Sequence, residues 1–483
     1  MNEDSIPTEN KGITTQRLIH AATPVPGVFS PRIRERWQKL HRVSPFGSHV
    51  LLTMGTNIVL AGIGVITGTL VARLLGPSGR GELAAIQNLF WLIAILAMLG
   101  LPEATLFFIA REPGHGGRVV SSAIVLAFVA APLFYFVVYP LVPLLLAAQP
   151  SNIIATTRWY LLCIPLYALM VIPTFAVRGQ NNLVRWNMLR ILPGLGWLLF
   201  LLTVWVVAKP TAELLAGGYL LVLALMLLPT VLVVRKHITP PFWPDRHLSK
   251  TMLTYGAPLA GATIPQILNM RLDQLLIAAL LPPYLLGLYV VAVAWSGAAL
   301  PLLHAIGNVL FPKIAAGDSS PAEKRRALAQ GLRLGTMTGS LLALTLGALT
   351  PLAIPLLFGR AFEPAVPIAL VLVVAAVVSG MNSILEEGLR GLGDTPGVLW
   401  GELAGLAITA TGLALLLKPF GIMGAGIASM LGWLGTAAFL TSRIHRATGI
   451  STTFLFWPQV EDFRYLVLRV RNIVPALGLG ERA

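Results

Sequence analysis

The fold class that the sequence predicts is an all-α polytopic membrane protein of about twelve transmembrane helices, set in two pseudo-symmetric six-helix bundles. Three observations predict it: a composition too poor in charge to cover an aqueous surface, a lopsided placement of lysine and arginine among the connectors, and a set of turn motifs that recurs once, in order, in the second half.

Only 11% of the 483 residues are charged and 56% are hydrophobic, with a mean hydropathy of +0.77. Soluble domains carry roughly 25% charge, whereas runs of about 20 apolar residues each cross a hydrocarbon layer about 30 Å thick. Lipid offers no partner to backbone amides, so such runs are helices; a barrel would alternate apolar and polar positions instead. The net charge of +15 is explained by basic cytoplasmic loops, and nucleic acid is not expected as a partner. Cys163 is the one cysteine, so neither a disulfide framework nor a cysteine metal site is expected. No catalytic constellation, cofactor motif or cleavable leader is apparent.

The apolar runs fall, in order, at 48–72, 83–109, 119–146, 153–177, 187–208 and 213–234, then at 256–281, 285–310, 331–358, 364–385, 397–417 and 421–442. Pro132, Pro140 and Pro143 in the third run and Pro351 and Pro355 in the ninth predict kinks or breaks there. With the N-terminus inside, 28 of the 35 Lys and Arg lie in cytoplasmic segments or at the cytoplasmic ends of the runs. Six lie opposite (Arg73, Arg80, Arg158, Lys209, Arg360 and Lys418), and Arg271 falls inside the seventh span. That bias places both termini in the cytoplasm. The expected organisation is a basic tail at 1–47, bundles at 48–234 and 256–442 joined by a linker at 235–255, and a cytoplasmic amphipathic tail at 443–483.

The two halves repeat. Leu75-Gly76-Pro77-Ser78-Gly79-Arg80-Gly81 returns as Leu281-Pro282-Pro283-Tyr284-Leu285-Leu286-Gly287 at an offset of 206, with the leucine, the second proline and the last glycine in register. Arg178-Gly179 returns as Arg390-Gly391, and Lys209-Pro210 as Lys418-Pro419, at offsets of 212 and 209. Units with an even number of spans are parallel and related by an axis along the membrane normal, an arrangement suited to alternating access.

Several segments carry a family resemblance: Thr69–Gly81, Leu99-Gly100-Leu101-Pro102-Glu103-Ala104, Arg271-Leu272-Asp273 with Gly287-Leu288-Tyr289, Arg390-Gly391-Leu392-Gly393-Asp394, and Phe420–Ala428. Over residues 48–442 the chain resembles the polysaccharide and oligosaccharidyl-lipid flippases of the MATE/MOP superfamily, which includes the Wzx-type O-antigen flippases. The resemblance implies two bundles around a central cavity, in the bacterial cytoplasmic membrane. It implies a polyprenyl-diphosphate-linked oligosaccharide as cargo, moved to the outer leaflet, and a transporter rather than an enzyme. Pro282-Pro283-Tyr284-Leu285 departs from the polar, glycine-rich form of that turn.

Arg271 and Asp273 stand within the seventh span, where a charge costs about 2.5–3.5 kcal/mol. One reading puts Arg271 in the cavity facing a diphosphate, with Asp273 setting charge balance or binding a coupling cation; the other is a structural Arg–Asp contact. Glu402, one turn into the eleventh span, reads as a helix cap or headgroup-level acid, or as a partner of Asp273. Asn57, Asn269, Asn308 and Asn382 suit sugar hydroxyls and interhelical hydrogen bonds equally. Glu386 and Arg390, four apart, read as a helix-end ion pair; Arg73 and Arg80 read as snorkelling to headgroups. His304 and Trp295 read as packing residues. Amphipathic stretches in both tails (Ile33, Trp37 and Leu40; Val460, Phe463, Val467, Val470 and Val474) suit the anionic inner leaflet. Membrane lipids are therefore expected partners, with a glycosyltransferase or polymerase of the same pathway as a weaker one.

Overall fold

The computed structural model describes residues 45–207, 209–316, 320–457, 459 and 462. The residues named for the amphipathic stretches of the two tails lie outside the described ones. Packing divides the chain between Ile58 and Val59. The described part of the first unit is the opening of one helix, and the packing below is that of Val59 onward.

Among the described residues every regular element is helical. The α-helices are α1 (Pro45–Met98), α2 (Leu101–Arg111), α3 (Gly116–Val138), α4 (Val142–Leu145), α5 (Ser151–Leu161), α6 (Ile164–Gly179), α7 (Leu183–Val207) and α8 (Ala212–His237). They continue as α9 (Arg246–Leu280), α10 (Pro283–Ser296), α11 (Leu300–Ala315), α12 (Pro321–Phe358), α13 (Val366–Gly391), α14 (Thr395–Thr448) and α15 (Thr452–Phe456). Among the described residues eight helical stretches are long and apolar enough to cross a membrane, or nine if α5 and α6, bent by 45° at Leu162-Cys163, are taken as one span. The chain is a multi-pass membrane protein.

Two of those stretches are hairpins. A straight helix of 54 residues would run about 80 Å, far beyond a bilayer core, and both α1 and α14 have that length. In α1 the break is Gly76, with φ 65° and ψ −177°, and residues 64, 67 and 71 share one cavity with 80, 83 and 87 across it. In α14 it is Gly421, with φ 56°; Gly412 abuts Ala428, Gly435 abuts Ile408 and Gly401 abuts Leu440. Only glycine takes positive φ without strain. The expected polar connectors between the first two and the last two runs are thus single-glycine reversals. Arg443 closes the α14 hairpin by two hydrogen bonds of 2.9 Å to Asp394, the helix N-cap.

The expected proline effects divide. The third run does break, into a 3-10 turn at Tyr139–Leu141, where Pro140 lacks a donor. The ninth does not: Pro351 and Pro355 sit inside the continuous α12. Breaks not anticipated fall at Leu99-Gly100, both with positive φ, at Leu162-Cys163, and at the Gly297–Ala299 turn between α10 and α11.

In the first half α6 packs on α2, α3, α7 and α8; in the second, α13 packs on α10, α11, α12 and α14. Helix α9 packs on α14 and also on α2 and α3, so it touches both halves. Its start is fixed by Asp245, whose carboxylate accepts from Leu248 N at 2.9 Å. Small residues let these helices approach closely, as membrane packing requires. A Cβ on Gly81 would meet the Pro283 carbonyl oxygen at 1.8 Å, and one on Gly287 would meet that of Pro77 at 1.8 Å.

Candidate functional site

The polar groups of the second half are gathered on α9, α13 and α14. Asn269 and Asp273, one turn apart on α9, share a face, and both are buried. The Asn269 amide donates from Nδ2 to Glu402 Oε2 at 3.3 Å and accepts at Oδ1 from Thr409 at 3.0 Å. Asn269 thus ties α9 to α14 through Glu402 and Thr409. On α13, Glu386 is buried and is held by Arg390 at 3.1 Å.

Asp273 forms a second knot. Its carboxylate accepts from the Tyr289 hydroxyl at 2.5 Å, from Ser429 at 3.1 Å and from the backbone N of Gln274 at 2.6 Å. The neighbouring Gln274 side chain accepts from Asn88 of the first half at 3.0 Å. A buried carboxylate with three donors is well compensated. Arg271 is not among those donors. Its side chain is exposed, and among the described residues it makes no salt bridge. Tyr289 and Ser429 hold Asp273, and with it α9, to α10 and α14. Helix α9 is not among the stretches long and apolar enough to cross a membrane; an arginine within a bilayer would need water or an anion rather than lipid beside it.

The other expected residues scatter. Glu402 is neither a cap nor a headgroup-level acid: it is 4% exposed, and the capping is done by Asp394, which accepts from Gly397 N at 3.0 Å. Glu386 and Arg390 pair as expected. Asn382 is buried and donates to the Trp433 carbonyl at 2.9 Å, an interhelical bond. Asn308 on α11 is exposed, and no measured contact draws it to Arg271. Asn57 is an exposed residue of α1 within the first unit. Trp295 packs and also donates to Thr350 at 2.9 Å.

Two arginines differ from the headgroup expectation. Arg73 donates to the carbonyls of Leu357, at 2.8 Å, and Leu356, satisfying the free C-terminal end of α12. Arg80 lines a cavity of about 190 Å³ between the arms of α1, with Thr67, Gln87 and Trp197. The only prior signal for Arg80 was its seven-residue spacing to Gln87, which places both on one helix face.

Residues 70–367, more than half of the chain, match the family profile described as polysaccharide biosynthesis protein. No curated protein matches the sequence. Among solved structures, the lipid II flippase MurJ in an inward closed conformation superposes with a TM-score of 0.68 at 13% identity, covering 90% of this chain and 93% of its own. The multidrug transporter DinF-BH, a MATE protein, gives 0.58 at 16% identity, covering 85% and 98%. The eukaryotic MATE transporter AtDTX14 gives 0.56 at 13%, covering 82% and 96%. These likenesses establish the fold that the chain shares with MurJ and MATE proteins.

Proposed function

The chain belongs to the polysaccharide biosynthesis protein family, and from that premise we propose that it is a flippase. Its cargo is a polyprenyl-diphosphate-linked oligosaccharide, carried from the inner to the outer leaflet of a bacterial cytoplasmic membrane by alternating access, with both termini inside. The observation that carries this reading is Arg271, exposed within α9 and without a salt bridge among the described residues. Its planar fork suits a diphosphate. Asn308 and Asn57 are the candidates for sugar hydroxyls, while Asn269 serves the site by holding Glu402 in place. The bundles at 48–234 and 256–442 are the moving bodies, and α9, which touches both halves, joins them. The fold shared with a lipid II flippase supports the reading by analogy.

The electrical work favours export. A negative charge moving outward through an inside-negative potential gains about 2.3 kcal/mol per 100 mV, so the cargo needs no coupling ion on that ground. Asp273 and Glu402 would instead reset the empty carrier by taking up a proton or cation.

A second reading is a cation-coupled drug antiporter, favoured by the buried acids Asp273, Glu386 and Glu402. Proteoliposomes separate the two. The flippase reading expects protein-dependent exposure of a fluorescent polyprenyl-diphosphate sugar to an outside quencher, lost in Arg271→Ala. Export of cationic dyes with no flipping of any lipid-linked sugar would give the site to the second reading.

A further inference from the structure

A second basic site lies away from the α9 network, between the start of α12 and the chain that follows α14. Its cavity of about 370 Å³ is lined by Arg325, Arg326, Arg333, Ile450, Phe454 and Gln459. Arg325 and Arg326 are exposed on the first turns of α12, while Arg333 is 5% exposed. The Arg333 guanidinium is only partly used. Nη2 donates to Asp462 Oδ1 at 3.3 Å, and Nε lies 2.8 Å from Oδ2 but off the hydrogen-bond axis. Nη1 is buried with no acceptor among the described residues. The Phe454 ring covers the guanidinium carbon at 5.1 Å, and Asp462 Oδ2 is also engaged by Gln459 N at 2.9 Å.

Among the described residues at this pocket, three arginines against one aspartate leave a surplus of positive charge, and a buried guanidinium donor without an acceptor is costly. A phosphate supplies what is missing: negative charge, and oxygens that match the arginine fork. The volume lies within the range of small-molecule sites. The surroundings indicate where the phosphate comes from. Phe454 and Trp457 stand exposed beside the pocket while Leu455 is buried, the pattern of a short interfacial segment whose aromatic residues sit at headgroup depth.

We propose that this pocket binds the phosphate of an anionic phospholipid headgroup in the leaflet facing the cytoplasm, and that the bound lipid fastens the segment after α14 onto α12. The leaflet assignment rests on the orientation proposed above; the phosphate chemistry does not.

The test uses the full chain in nanodiscs, which expose both faces, so that neither a wrong orientation nor a failed flipping assay alters the result. Discs of phosphatidylcholine are compared with discs containing phosphatidylglycerol, by retained lipid in native mass spectrometry and by thermal midpoint. Phosphatidylglycerol should be retained selectively and raise the midpoint. Arg325→Gln with Arg326→Gln should weaken that retention about tenfold, leaving the midpoint in phosphatidylcholine unchanged. Arg235→Gln with Lys236→Gln, a basic pair outside the pocket, should leave retention intact. A midpoint raised in detergent by inorganic phosphate alone, and lost in the Arg325/Arg326 variant, keeps the site and assigns it to soluble phosphate. Equal retention by both double variants, with no protection by phosphate, overturns the proposal.

Discussion

Gly81 and Gly287 lie against each other's turn in a reciprocal contact: a Cβ on Gly81 would strike the Pro283 carbonyl, and one on Gly287 would strike that of Pro77. The same 206-residue offset relates Gly81 to Gly287 and Pro77 to Pro283. A contact in which i meets j and j meets i is the signature of a two-fold axis. Here it joins the turn of the first hairpin to the entry of α10.

Gly81→Ala should therefore force those turns apart. Both obstacles are backbone, so no side chain can yield, and the loss should reach or exceed the roughly 1–3 kcal/mol of an overpacked core. Thermal unfolding of the purified protein measures it. Gly114→Ala, which meets nothing within 4 Å, is the control that should leave the midpoint in place. Equal midpoints for the two variants would dissolve the contact.

Arg271 is exposed, so its replacement should change stability by no more than about 0.5 kcal/mol while flipping falls. Arg271→Lys keeps the charge and loses the planar fork, and should retain part of the activity; Arg271→Gln should retain about a tenth or less. Initial flipping rates at matched protein incorporation give the comparison. A lysine variant as poor as the glutamine variant would show that fork geometry matters and charge does not, and full activity in both would remove Arg271 from the site.

What the sequence disclosed and what it withheld follow from the range of each effect. Apolar run length is a one-dimensional consequence of the bilayer, so the helical membrane class was legible. Gly76 and Gly421 were visible as glycines. That each reverses the chain alone, though, depends on one positive φ and on neighbours packed across the turn. Glu402 shows the limit most clearly. One turn from a helix start, a glutamate reads as a cap, and only the approach of α9 turns it into a buried partner of Asn269. Arg73 is similar: Leu356 and Leu357, whose carbonyls it serves, lie more than 280 residues away in sequence.

Tyr289→Phe should destabilise the protein by about 1–3 kcal/mol, because it strips the 2.5 Å donor from a buried carboxylate. Ser429→Ala, which removes the longer 3.1 Å bond, should do less. Adding Asp273→Asn to Tyr289→Phe should recover part of the loss, since the group left short of donors no longer carries charge. A thermal double-mutant cycle reads this coupling directly. Additive losses would mean that the hydroxyl and the carboxylate do not depend on each other.

Asp245 gives a pH dependence whose direction is fixed by its contacts. The Leu248 backbone N–H that it caps is the first cause, with the backbone of His247 and the charges of Arg118 and His247 adding to it, and together they hold its carboxyl below the ordinary 3.8. The folded chain therefore takes up this proton less readily than the unfolded chain does. The cap's contribution is complete above the ordinary value and is lost as pH falls through the lower folded one. Asp245→Asn keeps a side-chain acceptor and should match the wild-type midpoint near neutral pH, but it has no carboxyl to titrate. The gap between the two thermal midpoints should then open in the variant's favour as pH drops from about 5 toward 3. Parallel acid profiles would show that the start of α9 is held by something other than this carboxylate.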